Sequence, residues 1–154
     1  MFDFNQFIHL IPKAAIWAQQ QEQEILKNGV FLSEDQLEDA KIIPVEHPEK
    51  VRLLCVEQIP LPEDPELKLA AQRLKLITPD TIGLTLQYGI FIRKDFWNHR
   101  ETIAHELVHT SQYERLGSIQ KFLNQYIQEC VQFEYPNTPL EQEAKHKAKS
   151  ICTK

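Results

Sequence analysis

The segment NHRETIAHELVHTSQYERLG, residues 98 to 117, constrains this chain more than any other. Asn98, with Glu101 three residues later, has the form of an N-cap and its reciprocal acid. Gly117 is the residue type that closes a helix at its C-terminal end. The two signals predict a helix from about 99 to 116. At about 100° per residue, His105 and His109 fall on one face with Thr102, Gln112 and Leu116. Ala104, Leu107, Val108 and Ser111 lie on the far side, and their apolar character predicts packing against a core.

Two imidazoles at i and i+4 can meet one metal ion from adjacent turns. Glu106 sits about 100° further round and is not placed to be a ligand. Its position suits a general base acting on a water at the metal. The competing reading is three polar residues on an ordinary solvated helix. The mid-helix position, the preceding strand region and the apolar back face favour the metal.

A catalytic zinc site takes three protein ligands and leaves one position open. The extended form of the motif, with a third histidine at 115, is excluded because Gln112 and Arg115 stand where its glycine and histidine would be. Further downstream only His146 remains, and it reads as a surface residue among Lys145, Lys147 and Lys149. A glutamate on a later helix is the alternative. Residues 118 to 135 form a spacer helix whose Ile119, Phe122, Leu123, Tyr126, Ile127 and Cys130 read as core, with Glu129 and Glu134 in or near it. Thr138-Pro139-Leu140-Glu141 then looks like an N-cap, a proline at N1 and a capping-box acid. That logic commits Glu141 to the Thr138 amide. It leaves Glu143, about 200° around the helix, free to face the metal. Glu143 is therefore the expected third ligand, with Glu141 the second choice.

The remaining sequence sets the frame. A length of 154 residues fits one domain over 1 to 154. A net charge of −5 argues against nucleic acid as the main partner. No apolar run is long enough to cross a bilayer, and the start lacks the features of a signal peptide, so no membrane partner is expected. Cys55, Cys130 and Cys152 form no CxxC pair, and Cys55 alternates with apolar neighbours like a buried free thiol. A cytoplasmic location is expected. Apolar residues recur at helical spacing from 4 to about 27, with Pro12 interrupting and Gly29 stopping them. Ser33 with Gln36 marks a short capped helix, and Asp64 caps a helix from Pro65 to about 75. Residues 51 to 59 read as a strand. Residues 83 to 96 are a strand region in which Gly89 marks a bulge, a turn or a close backbone approach. The fold class is thus α+β. A helical part spans 1 to 50, and a strand region, the HExxH helix, the spacer helix and a C-terminal ligand helix follow over 51 to 154.

At this point the chain resembles the gluzincins, zinc metallopeptidases with HExxH on one helix and a glutamate on a following helix. The segment LEQEAKHKA is similar to the E-x-E-A-x-x-x-A segment of their prenyl-protease-like branch, in which the glutamate before alanine binds zinc; that position is Glu143. GLTLQYGIFIRKDFW, AHELVHTSQYERLG and YPNTPLEQEA together resemble a group of small, largely uncharacterised bacterial proteins of metallopeptidase type. The resemblance covers about residues 83 to 148. It implies a zincin-like fold, mostly helical, with a small sheet whose edge strand lies above the HExxH helix. It also implies peptide or protein substrate paired with that strand, for which Tyr88, Gly89 and Ile90 within YGIFIR are the candidates. One departure is plain: Lys145 and Lys147 stand where relatives of this type carry an aspartate that orients a ligand histidine.

The function expected is a zinc-dependent hydrolase of peptide bonds. Zn2+ would be held by His105, His109 and Glu143, with Glu106 as base and Tyr88, His99, Tyr113 or Tyr135 as oxyanion donor. The alternative is a zincin-like interaction module with weak catalysis or none.

Overall fold

The computed structural model describes residues 3–153 and contains a four-stranded mixed sheet between two groups of helices. The strands are β1 (Val30–Phe31), β2 (Arg52–Val56), β3 (Gly83–Leu86) and β4 (Gly89–Arg93), in the order β1-β2-β4-β3. β2 and β4 run parallel, whereas β1 and β3 are antiparallel to their neighbours. The helices are α1 (Ile11–Asn28), α2 (Glu34–Ile42), α3 (Pro65–Arg73), α4 (Arg100–Leu116), α5 (Ile119–Phe133) and α6 (Pro139–Cys152). The α+β class is as the sequence predicts.

Strand alternation divides the core in two. Leu53, Ile90 and Ile92 face α4 and α6, where they meet Ile103, Leu107, Val108, Ala144 and Ile151. Phe91, Leu86 and Leu54 face the other way, onto Ala18 and Ile25 of α1 and Ala71 of α3. On β3, Thr85 lies between Leu84 and Leu86 and so points to the α4 side.

Local signals place most of these elements. The capping box of Ser33 with Gln36 forms, and Asp64 accepts from the Leu67 amide at the start of α3. Pro12 does not break a long helix. It occupies the first turn of α1, where its missing N–H costs nothing, and two short 3-10 turns precede it. The region 83 to 96 is a hairpin, with its turn at Gln87 and Tyr88 and a positive φ of 63° at Gln87. Gly89 opens β4 beneath α1. A Cβ there would come within 3.0 Å of the Ile25 Cβ, so glycine lets the helix lie on the strand.

Three expectations change. The cap of α4 is His99, whose Nδ1 accepts from the Thr102 amide at 3.3 Å, so the helix starts one residue later than Asn98 would dictate. Cys55 shares the face of Leu53 but is left uncovered and exposed. The expected edge strand is the inner one. β4 runs between β2 and β3, with Ile90 0% exposed, and the free edge beside α4 belongs to β3.

Candidate metal centre

α4 is buried on both sides. Ile103, Leu107 and Val108 pack with the central strands, Glu106 lies under β3, and His109 and Gln112 are enclosed from the other direction. This excludes the reading of HELVH as polar decoration on a solvated helix. What encloses the histidines is chiefly α6, which packs along α4 and brings a carboxylate to them.

That carboxylate is Glu141. Its Oε1 lies 2.9 Å from His105 Nε2, and its Oε2 lies 3.0 Å from His109 Nε2. The ligand atoms of the three residues all lie within 4.8 Å of one another. Donors sharing one zinc at about 2.0–2.1 Å stand roughly 3.3 Å apart, so small side-chain adjustments suffice. Two neutral imidazoles and a carboxylate are also a suitable donor set for this ion.

Glu143, the expected ligand, is elsewhere. Its carboxylate accepts from Gln112 Nε2 at 2.7 Å and from Arg115 at 3.1 Å, and pairs with Lys147 at 3.2 Å. The correction has a specific cause. Thr138 does cap α6, its hydroxyl accepting from the Glu141 amide at 3.3 Å, but the Glu141 side chain turns to the histidines. Leu140, Ala144, Ala148 and Ile151 mark the buried stripe of α6. Glu141 lies about 60° from the centre of that stripe and Glu143 about 100°. The stripe was the signal that separates the two acids.

A group that orients His109 comes from α4 itself. His109 Nδ1 lies 2.8 Å from Gln112 Oε1, an arrangement in which Nδ1–H donates and Nε2 turns to Glu141. Gln112 is fixed in turn, because its Nε2 donates to the Leu140 carbonyl at 2.9 Å and to Glu143. Glu143 therefore reaches the centre only through Gln112. On the other side, the Tyr126 hydroxyl donates to Glu141 Oε2. Glu129 accepts from the Leu140 amide at 2.8 Å, holding the first turn of α6 against α5.

Glu106 stands beside this triad under β3. Thr85 Oγ1 lies 2.8 Å from its carboxylate and 2.9 Å from its backbone carbonyl. A Cβ on Gly83 would come 2.9 Å from Glu106 Cγ and 3.0 Å from Oε2, so that glycine provides the space for the acid. All four polar residues line one cavity of about 500 Å3.

The remaining candidates separate cleanly. Tyr88 directs its hydroxyl to Glu114 at 2.8 Å, Gly89 lies against α1 and Ile90 is in the core; none of the three lines the cavity. Tyr113 lines it but donates to the Thr85 carbonyl at 3.1 Å. His99 and Tyr135 also line it. Tyr126, which the sequence reading gave only a packing role, is a polar partner of the centre. His146 is exposed, as expected.

The electrostatics follow from burial and pairing. Burial works against a charged His109, but the Glu141 carboxylate overrides it and raises the imidazole pKa to about 9. Burial would likewise raise the Glu141 carboxyl, yet the two histidines hold it well below the usual carboxylate range. Without metal, this pair is an ion pair at neutral pH. Metal binding must then release the His109 proton, and calorimetry in buffers of differing ionisation enthalpy should find about one proton per ion near pH 7. The folded-state pKa of His109 lies above its ordinary 6.5. Its contribution to metal-free stability is therefore full below about pH 6.5 and lost as pH rises through about 9. The Glu141 contribution has the opposite sense, present above its ordinary pKa and lost on strong acidification.

Comparison of the chain with known protein families, with curated proteins and with solved structures gives no match. Among the described residues no helix is long and apolar enough to cross a membrane.

Proposed function

We propose that this chain is a zinc-dependent peptidase of the zincin type, with His105, His109 and Glu141 as ligands and Glu106 as general base. The observation that carries the reading is the buried Glu106 carboxylate, facing the same cavity as the three ligands without being one of them. A structural site has no use for such a base and closes its fourth position with protein. Zinc in this position supplies a Lewis acid that polarises a carbonyl and makes water a nucleophile near neutral pH.

The protein groups do the rest. Glu106 takes the proton of the attacking water and passes it to the leaving amine. Thr85 keeps that carboxylate pointed into the cavity. The Gln112 contact holds His109 in one tautomer, and Tyr126 holds Glu141. Of the four donors expected from the sequence, His99 and Tyr135 line the cavity and remain candidates for the developing oxyanion.

Substrate backbone is assigned to β3. Arg93 donates to the Ile82 carbonyl at 2.9 Å, so the ladder pairs Ile82, Leu84 and Leu86 with β4. Gly83 and Thr85 then turn their backbone groups to the free edge, where Tyr113 takes the Thr85 carbonyl. An extended peptide can add to the groups that remain, directly beside Glu106.

Protein purified without chelator should hold about one zinc per chain, and peptide hydrolysis should stop on metal removal and return with zinc. Failure to bind zinc even on titration would sink the proposal. Stoichiometric zinc without hydrolysis of any peptide would leave the interaction-module reading instead.

A further inference from the structure

The cavity extends well beyond the metal centre, and its far part is of one chemical kind. Leu10, Trp17, Leu67, Leu74, Ile77 and Ile127 line it, and the edge strand adds Leu84 and Leu86. No charged side chain of α1, α3 or α5 reaches it. Four alanines, Ala14 and Ala18 from α1 and Ala70 and Ala71 from α3, also line it. Protein interiors close-pack wherever apolar side chains can meet. Here small residues stand where larger ones would close the gap, and the space stays open to the triad. The rest of the lining has a different character and includes Asp80, His99, Glu101 and Lys145.

We propose that the substrate carries a bulky apolar residue beside the scissile bond, and that this alanine-floored pocket receives it. The inference rests on the peptidase reading for the position of the bond. A polar residue entering the pocket would lose its hydration and find no partner there. A bulky apolar one would be removed from water among aliphatic side chains and the Trp17 ring. The N-terminal helix, which carries no recognisable motif, thereby becomes the specificity-determining part of the chain.

Trp17 is a built-in reporter, since the only other tryptophan is Trp97. In zinc-loaded protein carrying Trp97→Phe and Glu106→Gln, two blocked octapeptides should be compared. They are identical except for Phe-Leu or Ser-Ser beside the central bond. The Phe-Leu peptide should change Trp17 fluorescence and bind at least about tenfold more tightly. Ala14→Phe should abolish that preference while zinc content and Ser-Ser binding are unchanged. Should that variant not fold, Ala70→Leu makes the same test from α3. Equal binding of the two peptides would overturn the proposal. So would tighter binding of N-octanoyl-diglycine than of the Phe-Leu peptide, because an acyl chain would then be the occupant. Selective binding by a protein whose wild type cleaves neither peptide would sink the peptidase reading and leave the apolar selectivity standing. Cleavage of both peptides with equal efficiency would do the reverse.

Discussion

Glu141→Ala should abolish stoichiometric zinc binding, whereas Glu143→Ala should retain the ion with about 10–100-fold weaker affinity. The difference follows from what each carboxylate touches. Glu141 lies 2.9 and 3.0 Å from the two histidine Nε2 atoms and accepts from Tyr126 as well. Its removal takes away one ligand of three and leaves buried polar groups without their partner. Metal-free stability should therefore also fall, by about 1–3 kcal/mol. Glu143 acts one step further out. Its loss removes one of the two acceptors of the Gln112 amide and leaves the Leu140 carbonyl, and only through that amide does it loosen His109. Gln112→Leu should resemble Glu143→Ala in zinc affinity and differ from it in stability, because Gln112 is fully buried and bridges α4 to α6. Equilibrium dialysis against buffered zinc gives the affinities, and urea titration of the metal-free proteins gives the stabilities. Loss of zinc in Glu143→Ala with retention in Glu141→Ala would reverse the ligand assignment.

The contrast between these two acids shows what a sequence of this kind carries. Caps are local, so Ser33, Asp64, Thr138 and Gly117 are legible in the sequence and each performs its expected role. The cap of α4, read at Asn98, is missed by one residue because the His99 ring can also accept from a helix amide. The ligand choice fails for a different reason. A capping box describes what an N3 glutamate does on an isolated helix, where the nearest free donor is the N-cap amide. Docking α6 on α4 brings two histidines within reach of the same carboxylate, and the tertiary partners win. The apolar stripe of α6 contains that information, because it fixes how the helix is rotated about its own axis. Strand order is less accessible still. The strand within YGIFIR is the most buried of the four, as a central position requires, but its composition does not single it out, and recognising β3 as the edge requires knowing that β2 pairs with β4. The cavity was not legible at all. The walls of its apolar part come from α1, α3, α5 and β3, and each of those residues alone reads as ordinary core.

Glu106→Gln should keep zinc, fold normally and lower peptide hydrolysis by about 10²–10⁴-fold, because the amide preserves the shape and removes the base. The companion variant Gly83→Ala tests whether the position of that carboxylate matters, with Glu106 itself left in place. Gly83 is not held by a left-handed backbone, so the substitution acts through space alone, where the new Cβ meets Glu106 at 2.9–3.0 Å. The acid must move, and its contact with Thr85 must yield. Hydrolysis should fall while zinc affinity, set by His105, His109 and Glu141, stays near the wild-type value. Two residues acting through one group are not additive. In the Glu106→Gln background, Gly83→Ala should therefore cost little more, since the base it displaces is already gone. A full additional loss in the double variant would mean that Gly83 acts on bound peptide at the β3 edge and not on the base. Hydrolysis surviving in Glu106→Gln would remove Glu106 from the mechanism altogether.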